Sequence, residues 1–186
     1  QTCALPIYAY VNNQNLGLIN QKGFDIGANY TLHPSWLPGR GLRLSYQANI
    51  VTSYIIQANP TVAKVQCKGT FGATCSSDGT TLVQPDYRHD ASVSWELGKG
   101  LVEFNWQRIG SVKDSTPGST ARIGAQDIFD LTASYPLNRI LTLSGGIYNM
   151  FDKDPPFVAT GGVFNTFPDT YDVLGRTYGM SLTARF

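Results

Sequence analysis

Apolar and polar residues alternate along most of the chain. From Phe24 to Leu32 every even position is apolar or aromatic, whereas the odd positions hold Asp, Gly, Asn and Thr. A period of two is typical of a β-strand with one apolar and one polar face. The pattern predicts seven strands, at residues 24–32, 42–50, 90–97, 102–107, 129–135, 141–147 and 177–186, with a further strand near Tyr8 to Val11.

The connections between these strands alternate in length. They are short after the first, third and fifth strands and long after the second (about 55–86), the fourth (110–126) and the sixth (152–172). In an antiparallel meander this brings all long loops to one end. We therefore expect an all-β fold, an antiparallel up-and-down transmembrane β-barrel of which about seven strands are present. A water-soluble sandwich is the alternative, but its strands are usually shorter and its loops need not be sorted by length.

The facing rule also predicts one strand pairing. Trp95 and Phe104 should share the apolar face, so we expect an even-length turn that puts Leu97 opposite Val102 and Trp95 opposite Phe104. This pairing brings Glu96 opposite Glu103 on the polar face, where like charges repel. We interpret the two carboxylates as a solvated pair in the barrel lumen rather than as a general acid and base.

Large aromatic residues lie near the strand ends, as in the interfacial girdles of membrane barrels. From Tyr178 to Phe186 the last strand would cover roughly 20 Å of height at a tilt of about 40°, close to the apolar band of such barrels. The short-turn side holds Trp36, Trp95, Tyr135 and Phe186, and the long-loop side holds Tyr54 and Tyr178.

Composition narrows the class of protein. The chain has 186 residues, 42% hydrophobic and 15% charged, and a formal net charge of +1. The near-balance of charge offers no polycationic surface for nucleic acid, and the high apolar content argues against disorder. The sequence also has no run of about 18 apolar residues that would predict a membrane-spanning helix.

The residues that carry catalysis or bind metals are sparse. His33 and His89 are the only histidines, and neither has a second ligand at a suitable spacing, so we expect no metal site. No serine lies in a G-x-S-x-G motif and no phosphate-binding glycine loop precedes a helix. We expect neither an enzyme nor a cofactor; a membrane-embedded hydrolase would need Ser, His and an acid on adjacent strands at one height.

The first seven residues match the translation of a common short-read sequencing adapter, so we exclude residues 1–7 and take residues 8–186 as the barrel segment. The chain also lacks an initiator Met, and we expect a gene fragment truncated upstream.

Excluding Cys3 leaves Cys67 and Cys75 in a polar loop, where we predict a disulfide. The bond would require an oxidising compartment, and two cysteines are too few for a zinc site.

The C-terminal region carries motifs that resemble those of the TonB-dependent receptor family. They are Tyr148-Asn149-Met150-Phe151-Asp152-Lys153-Asp154-Pro155-Pro156 and the segment from Asn165 to Tyr178, N-T-F-P-D-T-Y-D-V-L-G-R-T-Y. Family members commonly have Leu where this chain has Met150. The start of the first strand, Lys22-Gly23-Phe24-Asp25, is also similar, so the resemblance extends over residues 8–186 and corresponds to the C-terminal third of a receptor.

The resemblance implies a 22-stranded barrel closed by an N-terminal plug, with a TonB box that couples transport to the inner membrane. Plug, box and early strands do not occur in this sequence. It further implies the bacterial outer membrane as location, with membrane lipid, the barrel-assembly machinery and the TonB complex as partners. The last strand is similar to the signal that the assembly machinery reads: Tyr178, Met180, Leu182, Ala184 and Phe186.

The resemblance implies active uptake of a large, scarce small-molecule or oligosaccharide ligand. Receptors for ferric siderophores, cobalamin and oligosaccharides share these motifs, so the ligand stays open and no ligand-binding residue is assigned. A passive porin-like channel is the alternative function. Four loop aromatics could stack on a ligand or simply pack the loops: Phe71, Phe157, Phe164 and Phe167.

Overall fold

The computed structural model describes residues 17–75, 83–159 and 165–185; the strand expected near residues 8–11 lies outside them. Within the described residues, seven long strands form one antiparallel sheet in the order β1-β2-β5-β6-β9-β10-β11, with β3 paired to β2. The elements are β1 (Leu18–Leu32), β2 (Gly41–Gln57), β3 (Val65–Gln66), β4 (Thr70–Phe71), a 3-10 helix (Ala73–Cys75), β5 (Tyr87–Leu97), β6 (Gly100–Ile109), β7 (Val112–Asp114), β8 (Arg122–Ile123), β9 (Gln126–Pro136), β10 (Leu141–Tyr148) and β11 (Thr177–Ala184).

The expected sequence of strands and the sorting of loops by length are confirmed. The turns after β1, β5 and β9 are short, and the three long connections are loop 1 (residues 58–86), loop 2 (110–125) and loop 3 (149–176). Among the described strands, β1 and β11 pair on one side only, so the sheet is an open part of a barrel wall. No helix in the described part of the chain has the length and apolarity that a membrane crossing requires.

The two faces of the sheet differ as the alternation predicts. One row of cross-strand neighbours on the apolar face runs Tyr30, Leu44, Val93, Phe104, Leu131, Ile147, Tyr178. The adjacent row on the polar face runs Asn29, Ser45, Ser92, Asn105, Asp130. The apolar face is not covered by other parts of the chain: Phe24 is 65% exposed and Met180 is 84% exposed. A soluble sandwich would bury such a face against a second sheet.

The pairing expected between β5 and β6 is wrong by two residues. Val93, not Trp95, lies opposite Phe104, because a two-residue turn at Gly98-Lys99 puts Leu97 opposite Gly100. Gly98 has φ 60°, which glycine adopts without strain. A shift of two residues keeps every side chain on its face, so the facing rule could not detect it.

The two carboxylates are therefore separated. Glu103 lies opposite Ser94 and accepts a hydrogen bond of 2.7 Å from the Ser94 hydroxyl. Glu96 lies instead beside Arg43 of β2, with 3.4 Å between the guanidinium and carboxylate. The lumenal Glu96–Glu103 pair expected from the sequence does not form.

A β-bulge corrects the expected position of Tyr54. Lys22 pairs with Ser53 and Gly23 pairs with Val51, so Thr52 is an extra residue in β2. An extra residue reverses the alternation beyond it. Tyr54 consequently turns away from the apolar face and is buried beside loop 1 at 8% exposure, so its predicted place in an aromatic girdle is wrong.

Other aromatic residues of the predicted girdles lie on the expected sides. Trp36 in the first short turn is 78% exposed, and Tyr135 at the short-turn end of β9 is 52% exposed. Trp95 lies near the same end of β5, whereas Tyr178 begins β11 at the long-loop end and is 72% exposed. Phe186 lies outside the described residues.

Candidate functional site

The three long loops pack together over one end of the sheet. Their buried side chains and that of Ile109 at the end of β6 form one hydrophobic cluster, which we call the loop core. Loop 1 contributes Phe71 and Val83, loop 2 contributes Val112 and Ile123, and loop 3 contributes Val158, Phe167 and Tyr171. Ile109 belongs to the polar face, so the loop core folds over that face rather than away from the sheet.

Two of the four loop aromatics belong to this core. Phe71 is 1% exposed and Phe167 is 5% exposed, and their rings meet edge to face with centroids 5.6 Å apart. Packing within the loops therefore explains both residues. Phe157 is 75% exposed, and Phe164 lies outside the described residues.

Backbone pairing also joins loops 1 and 2. Strand β4 runs parallel to β7, which pairs antiparallel with β8. The Lys113 amide donates to the Gly69 carbonyl at 2.9 Å, and the Ser115 amide donates to the Phe71 carbonyl at 2.7 Å. The two loops thus form one small sheet whose backbone groups are paired, as buried polar groups require.

Cys67 and Cys75 form a disulfide within loop 1, with their Cα atoms 5.5 Å apart. Both residues are fully buried against a second cluster that includes Tyr54 and Ile56 of β2. The Cys67 amide donates to the Tyr54 carbonyl at 2.7 Å. The disulfide therefore closes a turn within loop 1, and the hydrogen bond from Cys67 joins that turn to the extension of β2 beyond the bulge.

Asn149 organises the start of loop 3. Its φ of 49° is left-handed, a conformation that Asn adopts more readily than most residues. The side-chain oxygen accepts from the Lys153 amide at 2.8 Å, and the side-chain amide donates to the Lys153 carbonyl at 2.9 Å. The Asn149 amide donates to the Asp130 carboxylate at 2.8 Å. Asn149 is 1% exposed, so this closed turn fixes loop 3 to β9.

The two C-terminal motifs meet at Asp152. Its carboxylate accepts from the Arg176 amide at 2.9 Å and lies 3.4 Å from the Arg176 guanidinium. Gly175, at φ 66°, has no room for a side chain without contacting the Asp152 carboxylate at about 3.2 Å. The F-D-K turn at the start of loop 3 therefore holds the G-R segment at its end, immediately before β11.

Tyr171 of the same motif is 3% exposed and lies in the loop core. Burial raises the pKa of Tyr171 to about 12, although the positive charge of Arg88 opposes this shift. Within the described residues its hydroxyl has no hydrogen-bond partner. The residue acts through packing, and its neutral form is the stable one.

The two histidines are not brought together into a site. His89 lies on the apolar face, where its Nδ1 is 2.6 Å from the Tyr87 hydroxyl and its ring meets the Trp106 ring edge to face. His33 belongs to the first short turn, at the opposite end of the sheet. Within the described part of the chain, no three His, Cys, Asp or Glu residues are grouped closely enough to hold a metal.

The predicted assembly residues of β11 share one face and one edge. Tyr178, Met180 and Leu182 are exposed on the apolar face, and Ala184 ends the strand. β11 pairs only with β10 in the described sheet. Beneath this hairpin the Tyr148 ring lies on the polar face, within about 3.4 Å of a side chain added at Gly146 or Gly179.

A cavity of about 410 Å³ lies between the polar face and the loops. The wall contributes Gln21 of β1, Asn49 of β2 and Arg88 of β5, and the loops contribute Gln84, Phe167, Asp169 and Thr170 among others. Arg88 was not expected at this cavity, because the sequence pattern starts its strand at residue 90. The signal that pointed to it was a cation at a polar-face position, on the strand end next to the longest loop.

These features define the class of protein: a wall segment of an antiparallel β-barrel with an exposed apolar face and a polar face capped by long loops. The chain matches the family described as TonB dependent receptor-like, beta-barrel, over residues 2–150. It belongs to this family.

Solved receptor structures share the fold. The ferric enterobactin receptor PfeA from Pseudomonas aeruginosa (mutant G324V) is 22% identical, with a TM-score of 0.57 over 89% of this chain and 22% of that chain. The Q482A mutant of PfeA in complex with enterobactin is 21% identical, with a TM-score of 0.55 over 90% of this chain and 22% of that chain. The copper transporter OprC is 18% identical, with a TM-score of 0.52 over 88% of this chain and 23% of that chain. The chain therefore spans less than a quarter of the length of these receptors.

Proposed function

We propose that this chain is part of the barrel of a TonB-dependent receptor that takes up a large, scarce ligand across the bacterial outer membrane. One observation carries the proposal: a member of this receptor family presents a polar wall roofed by three interlocked loops. Such a roof over the lumen suits a receptor that captures a ligand before transport.

Membrane lipid is the medium proposed for the apolar face. The eight residues of β11 would cover about 18 Å of height at a tilt near 40°, which lies within the apolar band of a membrane barrel. Arg108 and Asp127 also lie on this face, but they form an ion pair of 2.7 Å at the long-loop end. Charged groups are tolerated there because the band ends and the headgroups begin.

Two protein partners are proposed from family membership. The barrel-assembly machinery would recognise the apolar positions of the last strand, Tyr178, Met180, Leu182, Ala184 and Phe186. The TonB complex would act through receptor regions outside this sequence. For the ligand, the siderophore, cobalamin and oligosaccharide classes remain the candidates.

An uptake experiment separates active transport from a passive channel. Cells that carry the full-length receptor would be given a panel of radiolabelled ferric chelates, cobalamin, copper and oligosaccharides. We expect accumulation of one member to be lost equally on deletion of the receptor gene, on deletion of tonB and on addition of a protonophore. Accumulation that needs the receptor but neither TonB nor proton-motive force would establish the porin-like channel instead.

A further inference from the structure

The disulfide of loop 1 is closed off from solvent. Cys67 and Cys75 are both 0% exposed. They share a buried cluster with three residues of β2, Val51, Tyr54 and Ile56. A disulfide forms or breaks when a thiolate attacks one of its sulfurs, so the attacking group must reach that sulfur. In the folded chain the packing of this cluster blocks such access.

The sulfurs are covered because loop 1 docks on β2. Strand β3 pairs with β2 through Val65 and Gln66, immediately before Cys67. The Gln66 side chain accepts from the Tyr54 amide at 2.7 Å, and the Cys67 amide donates to the Tyr54 carbonyl at the same distance. The cover is therefore a contact between loop and sheet, and the sulfurs are accessible before that contact forms.

The turn that carries the disulfide is local, in contrast to its cover. Cys67 and Cys75 are 8 positions apart in the sequence. Between them, the Thr70 hydroxyl donates to the Cys67 carbonyl at 2.8 Å and lies 3.3 Å from the Cys75 sulfur. Closing so short a ring costs little chain entropy and needs no strand pairing. The bond can thus form in a chain that has not yet folded.

We propose that loop 1 is the substrate of a dithiol–disulfide oxidase, which oxidises Cys67 and Cys75 before loop 1 docks on β2. One cysteine thiolate attacks the disulfide of the oxidase, which gives a mixed disulfide and releases one oxidase thiolate. The second cysteine attacks the receptor sulfur of the mixed disulfide, closes the Cys67–Cys75 bond and releases the other oxidase thiolate. The receptor gives up two electrons and two protons, and the oxidase becomes a dithiol.

The proposed orientation in the membrane gives a second reason for this order. Loop 1 leaves the sheet at the long-loop end, which faces the outside in outer-membrane barrels. Bacterial disulfide oxidation takes place in the periplasm, on the other side of that membrane. An inserted barrel would therefore hold both cysteines away from the oxidase as well as buried. This inference rests on the proposed outer-membrane location.

The order of events can be measured in cells that carry the full-length receptor. The barrel-assembly machinery would be depleted, free thiols trapped with a maleimide, and the peptides containing Cys67 and Cys75 analysed by mass spectrometry. We expect the unassembled chain to carry the disulfide, and at least about tenfold less of it in cells without the periplasmic oxidase. Free thiols in the unassembled chain of oxidase-containing cells, or an unchanged bond without the oxidase, would overturn the proposal.

Access to the sulfurs can be measured on the full-length receptor in detergent. Reduction by dithiothreitol also passes through a mixed disulfide, so its rate reports access to the bond. We expect reduction to be about a hundredfold or more slower in the folded receptor than in urea. Ile56→Ala opens the cover and should accelerate reduction of the folded receptor. Equal rates in folded and unfolded receptor would overturn the burial argument.

Ile26→Ala is the matched control, because it removes the same side chain from the exposed apolar face of β1. It should leave the rate of reduction within about twofold of wild type, and circular dichroism should show the same β content in both variants. Equal acceleration by the two variants would also contradict a local cover. None of these results depends on transport: late oxidation would leave TonB-dependent uptake intact, and uptake independent of TonB would leave the order of oxidation unchanged.

Discussion

The ring of Phe71 in loop 1 packs edge to face against the ring of Phe167 in loop 3, with 5.6 Å between the ring centroids. The two residues are far apart in sequence, and each loop leaves the sheet from a different strand pair. Their contact converts separate connections into one roof over the polar face. The same roof bounds the cavity on the polar face, since Phe167 also lines that cavity. One side chain thus belongs both to the loop core and to the cavity wall.

Truncation of that ring should loosen the roof. We expect Phe167→Ala to destabilise the loop core by about 3–5 kcal/mol, the usual cost of a large cavity. Amide hydrogen exchange in the full-length receptor should then accelerate at Val112 and Ile123, which share the core. Phe157→Ala is the control, because Phe157 is 75% exposed and should leave exchange unchanged. Equal exchange in both variants would mean that the loops do not depend on a common core.

Asn149 should be replaceable by glycine at lower cost than by alanine. Both substitutions remove the two hydrogen bonds to Lys153, but only alanine also opposes the left-handed backbone at φ 49°. The additional cost of Asn149→Ala should be about 1 kcal/mol or more. Urea unfolding of the two variants, together with limited proteolysis of loop 3, measures the difference. Indistinguishable variants would show that the turn at Asn149 relaxes freely.

Two glycines on the polar face offer a matched pair for testing sheet packing. A side chain at Gly146 would lie 2.9 Å from the Thr132 methyl group, whereas one at Gly27 would meet nothing within 4 Å. We expect Gly146→Ala to destabilise the barrel by about 1–3 kcal/mol through overpacking. Gly27→Ala should be neutral or slightly stabilising, because it reduces the entropy of the unfolded chain. Unfolding midpoints in urea provide the comparison, and equal midpoints would contradict the close packing at Gly146.

Tyr171 should make stability fall at alkaline pH. Burial raises its pKa to about 12 from 10.0 in the unfolded chain. Its contribution is therefore fully present below about pH 10 and is lost as the pH rises through the folded pKa. The variant Tyr171→Phe should lose this dependence while keeping its stability at pH 7, since the hydroxyl has no partner among the described residues. Unfolding measured from pH 8 to 12 tests both statements; unchanged pH dependence in the variant would disprove the assignment.

Alternation and loop length were enough to predict the seven strands, their antiparallel order and the two faces of the sheet. This is because a β-strand presents successive side chains to opposite faces whatever its neighbours are. The motif residues Asn149 and Asp152 were visible too, but only as letters of a family pattern. They close loop 3 through hydrogen bonds that sequence spacing does not specify: Asn149 bonds with Lys153, and Asp152 bonds with Arg176.

Tertiary structure alone decided the strand register, the position of the bulge and the contacts between loops. The register shift between β5 and β6 and the extra residue at Thr52 change which residues lie opposite each other across the strands. Neither changes the local pattern of apolar and polar residues in the sequence. The convergence of three loops on one core, with a cavity beneath it, arises from contacts between distant segments. Periodicity is a property of one strand, whereas register and cavities are properties of several strands and loops together, which is why only the folded chain could reveal them.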